Sequence, residues 1–181
     1  KEDDKGQIWI LFNNFLSSYY GIYVLNTKRN ILLQLSARDM ECTRLYGLMP
    51  DNNEKMWIGT DSGVRIIDVN KNLIKSFTVK QGLSAKRASN FLQDEEKQIW
   101  ITTINGLDII NAKQGTITYL KKENGLASDS SRQIKEDMGK RIWISHRHEL
   151  SVIDRQAGTV TTLDLATMNL KPTGNQDWLD I

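Results

Sequence analysis

The fold is decided by residues 51–68, which read DNNEKMWIGTDSGVRIID. Asp51 stands six residues before a tryptophan with apolar neighbours on both sides, and a second apolar run begins at Gly63. The polar residues after Asp51 favour a hairpin turn, and the runs themselves contain the β-branched and aromatic residues that favour strands. The stretch therefore predicts a tight turn that leads into two short strands.

The same pattern occurs four times along the chain. Tryptophans between two apolar residues lie 48, 43 and 43 residues apart, and an aspartate stands six residues before each of them. These pairs are Asp3 and Trp9, Asp51 and Trp57, Asp94 and Trp100, and Asp137 and Trp143. Two more β-rich runs follow each tryptophan strand, and a fourth precedes the turn aspartate at 44–49, 88–93 and 131–136. Four short strands in about 43 residues are typical of a β-propeller blade.

We therefore predict an all-β fold of four four-stranded antiparallel blades within one propeller segment, residues 1–181. The expected blades are roughly 1–37, 44–79, 88–121 and 131–164, and residues 175–181 would form the innermost strand of a further or closing blade. A β-sandwich has no reason to repeat in this way, and the chain shows no helical periodicity. Because neighbouring blades cover both faces of a blade, the four repeat tryptophans are expected to be buried.

The two ends of the chain fit the same period. Joining the last residue to the first gives Ile181-Lys1-Glu2-Asp3, which matches Ile134-Lys135-Glu136-Asp137 in residue type. The first blade begins at its turn and lacks an innermost strand, whereas 178–181 reads as an innermost strand without a blade. We expect a portion of a longer propeller, whose open strand edges and blade faces favour self-association or strand exchange.

Composition excludes several classes of function. The chain has 24 Lys and Arg against 22 Asp and Glu, a net charge of +2, which does not provide the basic surface that nucleic acids require. Its longest apolar run, Ile8 to Phe12, is far too short to span a bilayer, so direct membrane insertion is not expected. A single cysteine, Cys42, excludes an internal disulfide.

Residues 51–68, with their MWIGT strand and the following Gly63-Val64, resemble the two-component regulator propeller repeat. The pairs Gly82-Leu83 and Gly125-Leu126 fit the same pattern, whereas Thr102 and Ser145 replace Gly59, and His146 replaces Thr60. In that family the blades form the extracytoplasmic sensor of membrane-bound hybrid histidine kinases and often recognise glycans. The resemblance implies a periplasmic, non-catalytic segment that senses a ligand or relays a signal to a histidine kinase.

Two classes of loop are expected to carry the binding site. Since strands alternate in direction, the loop after each tryptophan strand and the loop that returns to the next innermost strand emerge on the same face. Aromatic rings, guanidiniums and amides on that face suit polyhydroxylated or acidic ligands. The candidate ligand-binding residues are Tyr19, Tyr20, Arg44, Asp61, Arg87, Asn105, Arg132, His146 and His148.

Catalytic and metal sites have weaker support. His146 and His148 could share one face of a strand, but no third ligand is evident, so we expect no metal site and no cofactor. No spacing marks a catalytic nucleophile. The candidate partners are a carbohydrate or another small ligand, other blades or domains of the same protein, and a second copy of the chain. An enzymatic propeller, such as a lyase or glycosidase, and a purely structural spacer remain as alternatives.

Overall fold

A computed structural model describes residues 1–12, 21–51, 55–68, 72–111 and 113–167. The chain is all-β, as predicted, with fifteen strands in the described part and two short 3-10 turns at Val79–Gln81 and Lys122–Asn124. The strands are β1 (Ile8–Phe12), β2 (Gly21–Leu25), β3 (Ile31–Ser36), β4 (Leu45–Pro50), β5 (Met56–Thr60), β6 (Gly63–Asp68), β7 (Asn72–Phe77), β8 (Ala88–Gln93), β9 (Gln98–Thr103), β10 (Gly106–Asn111), β11 (Thr116–Leu120), β12 (Ile134–Glu136), β13 (Ile142–Ser145), β14 (Glu149–Asp154) and β15 (Thr159–Asp164). No helix among the described residues has the length and apolar character to cross a membrane.

The strands form four sheets, one after another along the chain. They are β1–β3, β4–β7, β8–β11 and β12–β15, called blades 1 to 4, and in each sheet sequence neighbours lie side by side. Two compact units, Lys1–Phe91 and Leu92–Ile181, divide the chain within β8. The sheets confirm the predicted propeller blades.

The sheet of blade 1 has three strands and not four, in agreement with the expectation that this blade lacks its innermost strand. At the innermost position, Trp9 N donates to Lys1 O at 2.7 Å and the amino nitrogen of Lys1 donates to Trp9 O at 2.9 Å. Glu2 then forms a bridge with Ile8. These two residues cover only the first part of the β1 edge. The predicted innermost strand at 175–181 lies outside the described residues.

The turn aspartate and the repeat tryptophan form the same hydrogen bond in every blade. The indole Nε1 of Trp9, Trp57, Trp100 and Trp143 donates to the aspartate Oδ2 at 2.8, 2.9, 2.7 and 2.8 Å, respectively. The other carboxylate oxygen accepts the backbone N–H of the residue four positions later, at 2.9, 3.0, 2.8 and 3.0 Å. One carboxylate therefore closes the hairpin and orients the tryptophan ring at the same time.

The tryptophan side of one blade packs on the opposite side of the next. In the first unit, Trp9 and Val24 of blade 1 share a buried cluster with Met56, Ile58 and Ile67 of blade 2. The second unit repeats this arrangement, with residues of blades 3 and 4 in one cluster: Trp100, Leu107, Ile142, Ile144 and Ile153.

Three of the four repeat tryptophans are buried as predicted, and Trp143 is not. Trp9, Trp57 and Trp100 expose 2%, 2% and 5% of their surface, whereas Trp143 is half-buried. Trp143 lies on the side of blade 4 that would face a following blade, and no sheet follows β15 in the described part of the chain.

The Gly-Leu pairs end the two 3-10 turns. Gly82 and Gly125 adopt φ values of 103° and 101°, in the left-handed region that favours glycine. The leucines that follow, Leu83 and Leu126, expose only 3% and 2% of their surface. The glycine therefore reverses the chain, and the leucine anchors the return to the next blade.

Asp51→Ala is expected to destabilise the fold by about 1–3 kcal/mol, because it leaves the buried Trp57 indole N–H without its acceptor. Urea unfolding measures the change in the free energy of unfolding. Asp4→Ala, at an exposed position beside the corresponding turn aspartate of blade 1, is the matched control and should change it by less than about 0.5 kcal/mol. Equal effects would contradict the role of the hydrogen bond.

Gly59→Ala is expected to cost about 1–3 kcal/mol, since a Cβ at this position would lie 2.6 Å from the carbonyl oxygen of Ala88. The repeat places Thr102 and Ser145 at the same position, so the requirement is local to blade 2. Gly139→Ala, in a turn where the added Cβ meets only side-chain atoms at 3.3 Å or more, is the control. Wild-type stability of the Gly59 variant in urea would show that β8 can move aside.

Candidate functional site

The two predicted loop classes meet in blade 2. Asp61, in the turn after the tryptophan strand, accepts backbone N–H groups from Thr43 at 3.0 Å and Arg44 at 3.2 Å in the return loop. Burial raises the pKa of Asp61, but the hydrogen bonds from Thr43 and Arg44 outweigh it and hold that pKa below its usual range. Asp61 is thus engaged in holding the two loops together.

The same loop classes meet in the second unit. Thr102 Oγ1 donates to the carbonyl oxygen of Arg132 at 2.8 Å, and Ser131 N donates to Thr103 O at 3.0 Å. The backbone N–H of Asn105 donates to Thr103 Oγ1 at 3.0 Å. The Arg132 side chain is exposed and Asn105 is half-buried. The structure therefore brings these two predicted site residues to the same edge of their blades.

The side chain of His146 is buried beneath its loop. It exposes 3% of its surface. Its Nδ1–H donates to Ser130 O at 3.1 Å, and its Nε2 accepts the Ser151 hydroxyl at 2.8 Å. Burial lowers the pKa of His146, although the Ser130 carbonyl and the nearby Glu149 and Asp129 act in the opposite direction. Both ring nitrogens are occupied, so His146 is a structural residue.

The two histidines do not form a metal-binding pair. His146 is buried and His148 is exposed in the turn between β13 and β14, so the common strand face considered from the sequence does not exist. No group of three potential metal ligands is present in the part of the chain that the structure describes.

Ser151 and His146 carry the hydroxyl and imidazole groups of a catalytic nucleophile and its general base, but a substrate cannot reach the Ser151 hydroxyl in this fold. Ser151 has 0% of its surface exposed, and its Oγ also accepts the backbone N–H of Ala127 at 2.9 Å. A substrate could reach this hydroxyl only if the loop opened. In the described fold the pair ties the return loop of blade 4 to β14.

A β-bulge places Tyr46 in the innermost strand of blade 2. Leu45 pairs with Thr60 and Gly47 pairs with Gly59, so Tyr46 is the extra residue. A bulge redirects the side chain at that point. The exposed Arg87, at the start of the next innermost strand, stacks over the Tyr46 ring with its guanidinium carbon 4.2 Å from the ring centroid.

Tyr46 lines an open groove of about 460 Å³, here called the inner groove. It runs between β1 and the innermost strands of the next two blades, within the first unit. Its lining comprises Lys1, Trp9, Ile10, Leu11, Tyr46, Gly47, Leu48 and Asn90. No acidic residue belongs to this set, and Arg87 lies on one of its members. The groove therefore combines a positive charge with an aromatic ring and an amide.

One of the candidate residues from the sequence, Arg87, lies against a residue that lines this groove. Arg87 was predicted, whereas Tyr46 and Asn90 were missed. Their position in innermost strands was a usable signal, because those strands border the propeller axis, but the bulge that redirects Tyr46 leaves no mark in the sequence. Arg44 and His148 are exposed in their own loops, and Tyr19 and Tyr20 lie outside the described residues.

Lowering the pH from 7.5 to 5.5 is expected to destabilise the protein through His146. The pKa of His146 in the folded state lies below the ordinary 6.5, so the unfolded chain binds a proton on this side chain more readily than the folded protein does. The contribution of neutral His146 to the free energy of unfolding is therefore complete above about pH 6.5 and is lost as the pH falls toward the folded-state pKa. Urea unfolding at both pH values measures the difference. His146→Gln should reduce the pH dependence, whereas His148→Gln, at the exposed position, should retain it. The reverse result would contradict the burial of a neutral His146.

Comparisons with known proteins bear on the fold. No protein-family model matches the chain, and no curated protein matches it. The extracellular domain of the putative hybrid two component system BT3049 from B. thetaiotaomicron is similar in structure, with a TM-score of 0.76 and 21% identity over 91% of this chain. The corresponding domain of BT4673 from B. thetaiotaomicron gives a TM-score of 0.72 and 18% identity, also over 91% of this chain.

The chain spans less than a quarter of those two proteins, 22% and 23% of their lengths, respectively. A streptogramin B lyase is also similar, with a TM-score of 0.53 and 18% identity over 67% of this chain and 40% of the lyase. The chain therefore has the propeller fold found in the extracellular domains of hybrid two-component systems.

Proposed function

We propose that this chain is a non-catalytic, ligand-sensing segment of an extracytoplasmic sensor in a bacterial two-component system. It would act in the periplasm and pass its signal to a histidine kinase elsewhere in the protein. Two independent lines of support are the repeat pattern of residues 51–68 and the fold shared with extracellular domains of hybrid two-component systems.

The observation that carries the binding proposal is the Tyr46–Arg87 stack at the inner groove. The ring holds the guanidinium in one place, which reduces the entropy that a ligand must overcome when it binds. Arginine binds carboxylate and sulfate groups through paired hydrogen bonds. With Lys1 and the Asn90 amide in the lining, the groove suits an acidic glycan better than a neutral one.

The proposal of a non-catalytic role is supported because polar groups that could act in catalysis are buried or already hydrogen-bonded. The Ser151 hydroxyl is inaccessible, and Asp61 is committed to the backbone N–H groups of Thr43 and Arg44. Among the described residues, no acidic side chain lines the inner groove to serve as a general acid or base. The similarity to the lyase concerns the fold alone.

Arg87→Gln is expected to lower the affinity of the protein for an acidic oligosaccharide at least tenfold, a change of about 1.4 kcal/mol. Tyr46→Ala should also lower it, because Arg87 loses its stacking partner. The probes are galacturonic acid tetrasaccharide and the neutral maltotetraose, and titration calorimetry measures the binding. The wild-type protein is expected to prefer the acidic probe.

Tyr119→Ala is the matched control, because Lys121 Nζ lies 5.3 Å from the Tyr119 ring centroid on the outer strand β11. This variant should bind like the wild type. No binding of either probe, or an equal loss in the Tyr119 variant, would contradict the inner-groove site. Chromatography of the same mixtures tests for cleavage, and turnover that a carboxylate substitution abolishes would contradict the non-catalytic role.

A further inference from the structure

Blade 2 carries a pair of glycines beside the inner groove. Gly47 of β4 and Gly59 of β5 are cross-strand partners, so side chains at both positions would stand on the same side of the sheet. Neither glycine has a positive φ, so the backbone conformation does not require glycine at either position. Counted from the turn aspartate, the same positions carry side chains in blades 3 and 4: Asn90 and Gln133 in place of Gly47, and Thr102 and Ser145 in place of Gly59.

The backbone of the next innermost strand fills the space that these two glycines leave. A Cβ at Gly47 would overlap the carbonyl oxygen of Ser89 in β8. A Cβ at Gly59 would lie 2.6 Å from the carbonyl oxygen of Ala88 and 3.0 Å from that of Ser89. Side chains at these positions would therefore force β8 away from β4. The glycine pair sets the close approach of the two innermost strands.

Arg87 is held where these two strands meet. Its Nε–H donates to the Oγ of Ser89 at 3.3 Å, and Ser89 exposes only 8% of its surface. The ring of Tyr46, the residue before Gly47, lies against the same guanidinium at 4.2 Å from the guanidinium carbon. One contact comes from the segment of Arg87 itself and the other from β4. The distance between the strands therefore determines whether both contacts can form.

The contact with Ser89 decides which edge of the guanidinium is left for a ligand. A guanidinium binds an anion with two parallel N–H groups, either from Nε and one Nη or from Nη1 and Nη2. Since the Nε–H of Arg87 donates to Ser89 Oγ, the first of these edges is engaged. The second edge lies at the tip of the side chain, so an anionic group would approach Arg87 end-on.

We propose that Ser89, Gly47 and Gly59 are positioning residues that fix Arg87 so that its Nη1 and Nη2 bind the carboxylate of an acidic sugar end-on. This inference rests on the proposed function and adds to it the orientation of the bound anion and three residues that act through Arg87. The glycines set the distance between β4 and β8, and Ser89 keeps the Nε–H engaged. A guanidinium held in this way loses less entropy when the ligand binds.

A double-mutant cycle on Ser89 and Arg87 in the full chain tests this role. NMR titration with galacturonic acid tetrasaccharide measures the affinity, including weak binding. Ser89→Ala is expected to lower the affinity about three- to tenfold, because Arg87 loses one of its two restraints. In an Arg87→Met background, which has no N–H donor at this position, Ser89→Ala should change the affinity by less than about twofold. An equal loss in both backgrounds would show that Ser89 acts independently of Arg87 and would overturn the proposal.

NMR signals of Arg87 in the free protein provide a readout that needs no ligand. The Nε–H proton should exchange slowly with water in the wild type and faster in Ser89→Ala. The Arg87 side-chain protons should show an upfield shift from the Tyr46 ring, and Gly47→Ala should remove this shift as Tyr46→Ala does. Unchanged Nε–H exchange in the Ser89 variant, or an unchanged ring shift in a folded Gly47 variant, would contradict the positioning role.

Ser131→Ala is the matched control. Ser131 is a buried serine in the return loop of blade 4, 5% exposed, and its Oγ has no hydrogen-bond partner among the described residues. This variant should bind like the wild type, and an equal loss would overturn the proposal. Circular dichroism checks folding, and Ser89→Ala, which adds no atom, decides the outcome if Gly47→Ala does not fold. A wild type that does not bind the tetrasaccharide would overturn the proposed function and this inference together, whereas binding that requires Arg87 but not Ser89 would overturn this inference alone.

Discussion

The hydrogen bond between the turn aspartate and the repeat tryptophan fixes the geometry of every blade. The carboxylate accepts the indole N–H with one oxygen and a backbone N–H with the other, at 2.7–3.0 Å in all four copies. A buried indole N–H without an acceptor would cost stability. The ring is therefore held in one orientation, and the tight turn before its strand is held with it.

This orientation decides how the blades stack. Within each unit, the tryptophan side of the first blade meets the apolar side of the second, as Trp9 meets Met56 and Ile58 in the first unit. At the edge of the second unit, Arg155 bonds both Asp94 of blade 3 and Glu136 of its own blade. Since the Asp94 side chain is 1% exposed, this ion pair lies in a less screened environment than a surface pair. Apolar packing and charge thus act on the same contact.

The loop edges of the blades separate structural polar groups from exposed ones. Asp61 and His146 are occupied by neighbouring backbone and side-chain groups, so they hold loops in place. Arg87 is exposed but stacked on Tyr46, and its Nε donates to Ser89 Oγ at 3.3 Å, so two contacts restrict its movement. A positioned cation beside a groove whose described lining has no acidic residue favours the binding of an anion.

The sequence by itself determined the fold class, because the signals that specify a blade are local. Asp51 and Trp57 lie six residues apart, and their repetition identifies both the strand and the turn before it. The sequence also placed the two loop classes on one edge, since strand direction alternates. The place of Arg87 in a return loop made it a candidate for ligand binding.

Only the tertiary structure decided which polar residues are free and which faces are covered. The burial of His146 depends on Ser130 and Ser151, and the need for Gly59 depends on the Ala88 carbonyl of the next blade. The half-burial of Trp143 depends on what packs against blade 4, although its local sequence matches that of the buried Trp100. The direction of Tyr46 depends on a one-residue shift in strand pairing. These properties arise from contacts between segments distant in sequence, which a repeated local pattern does not specify.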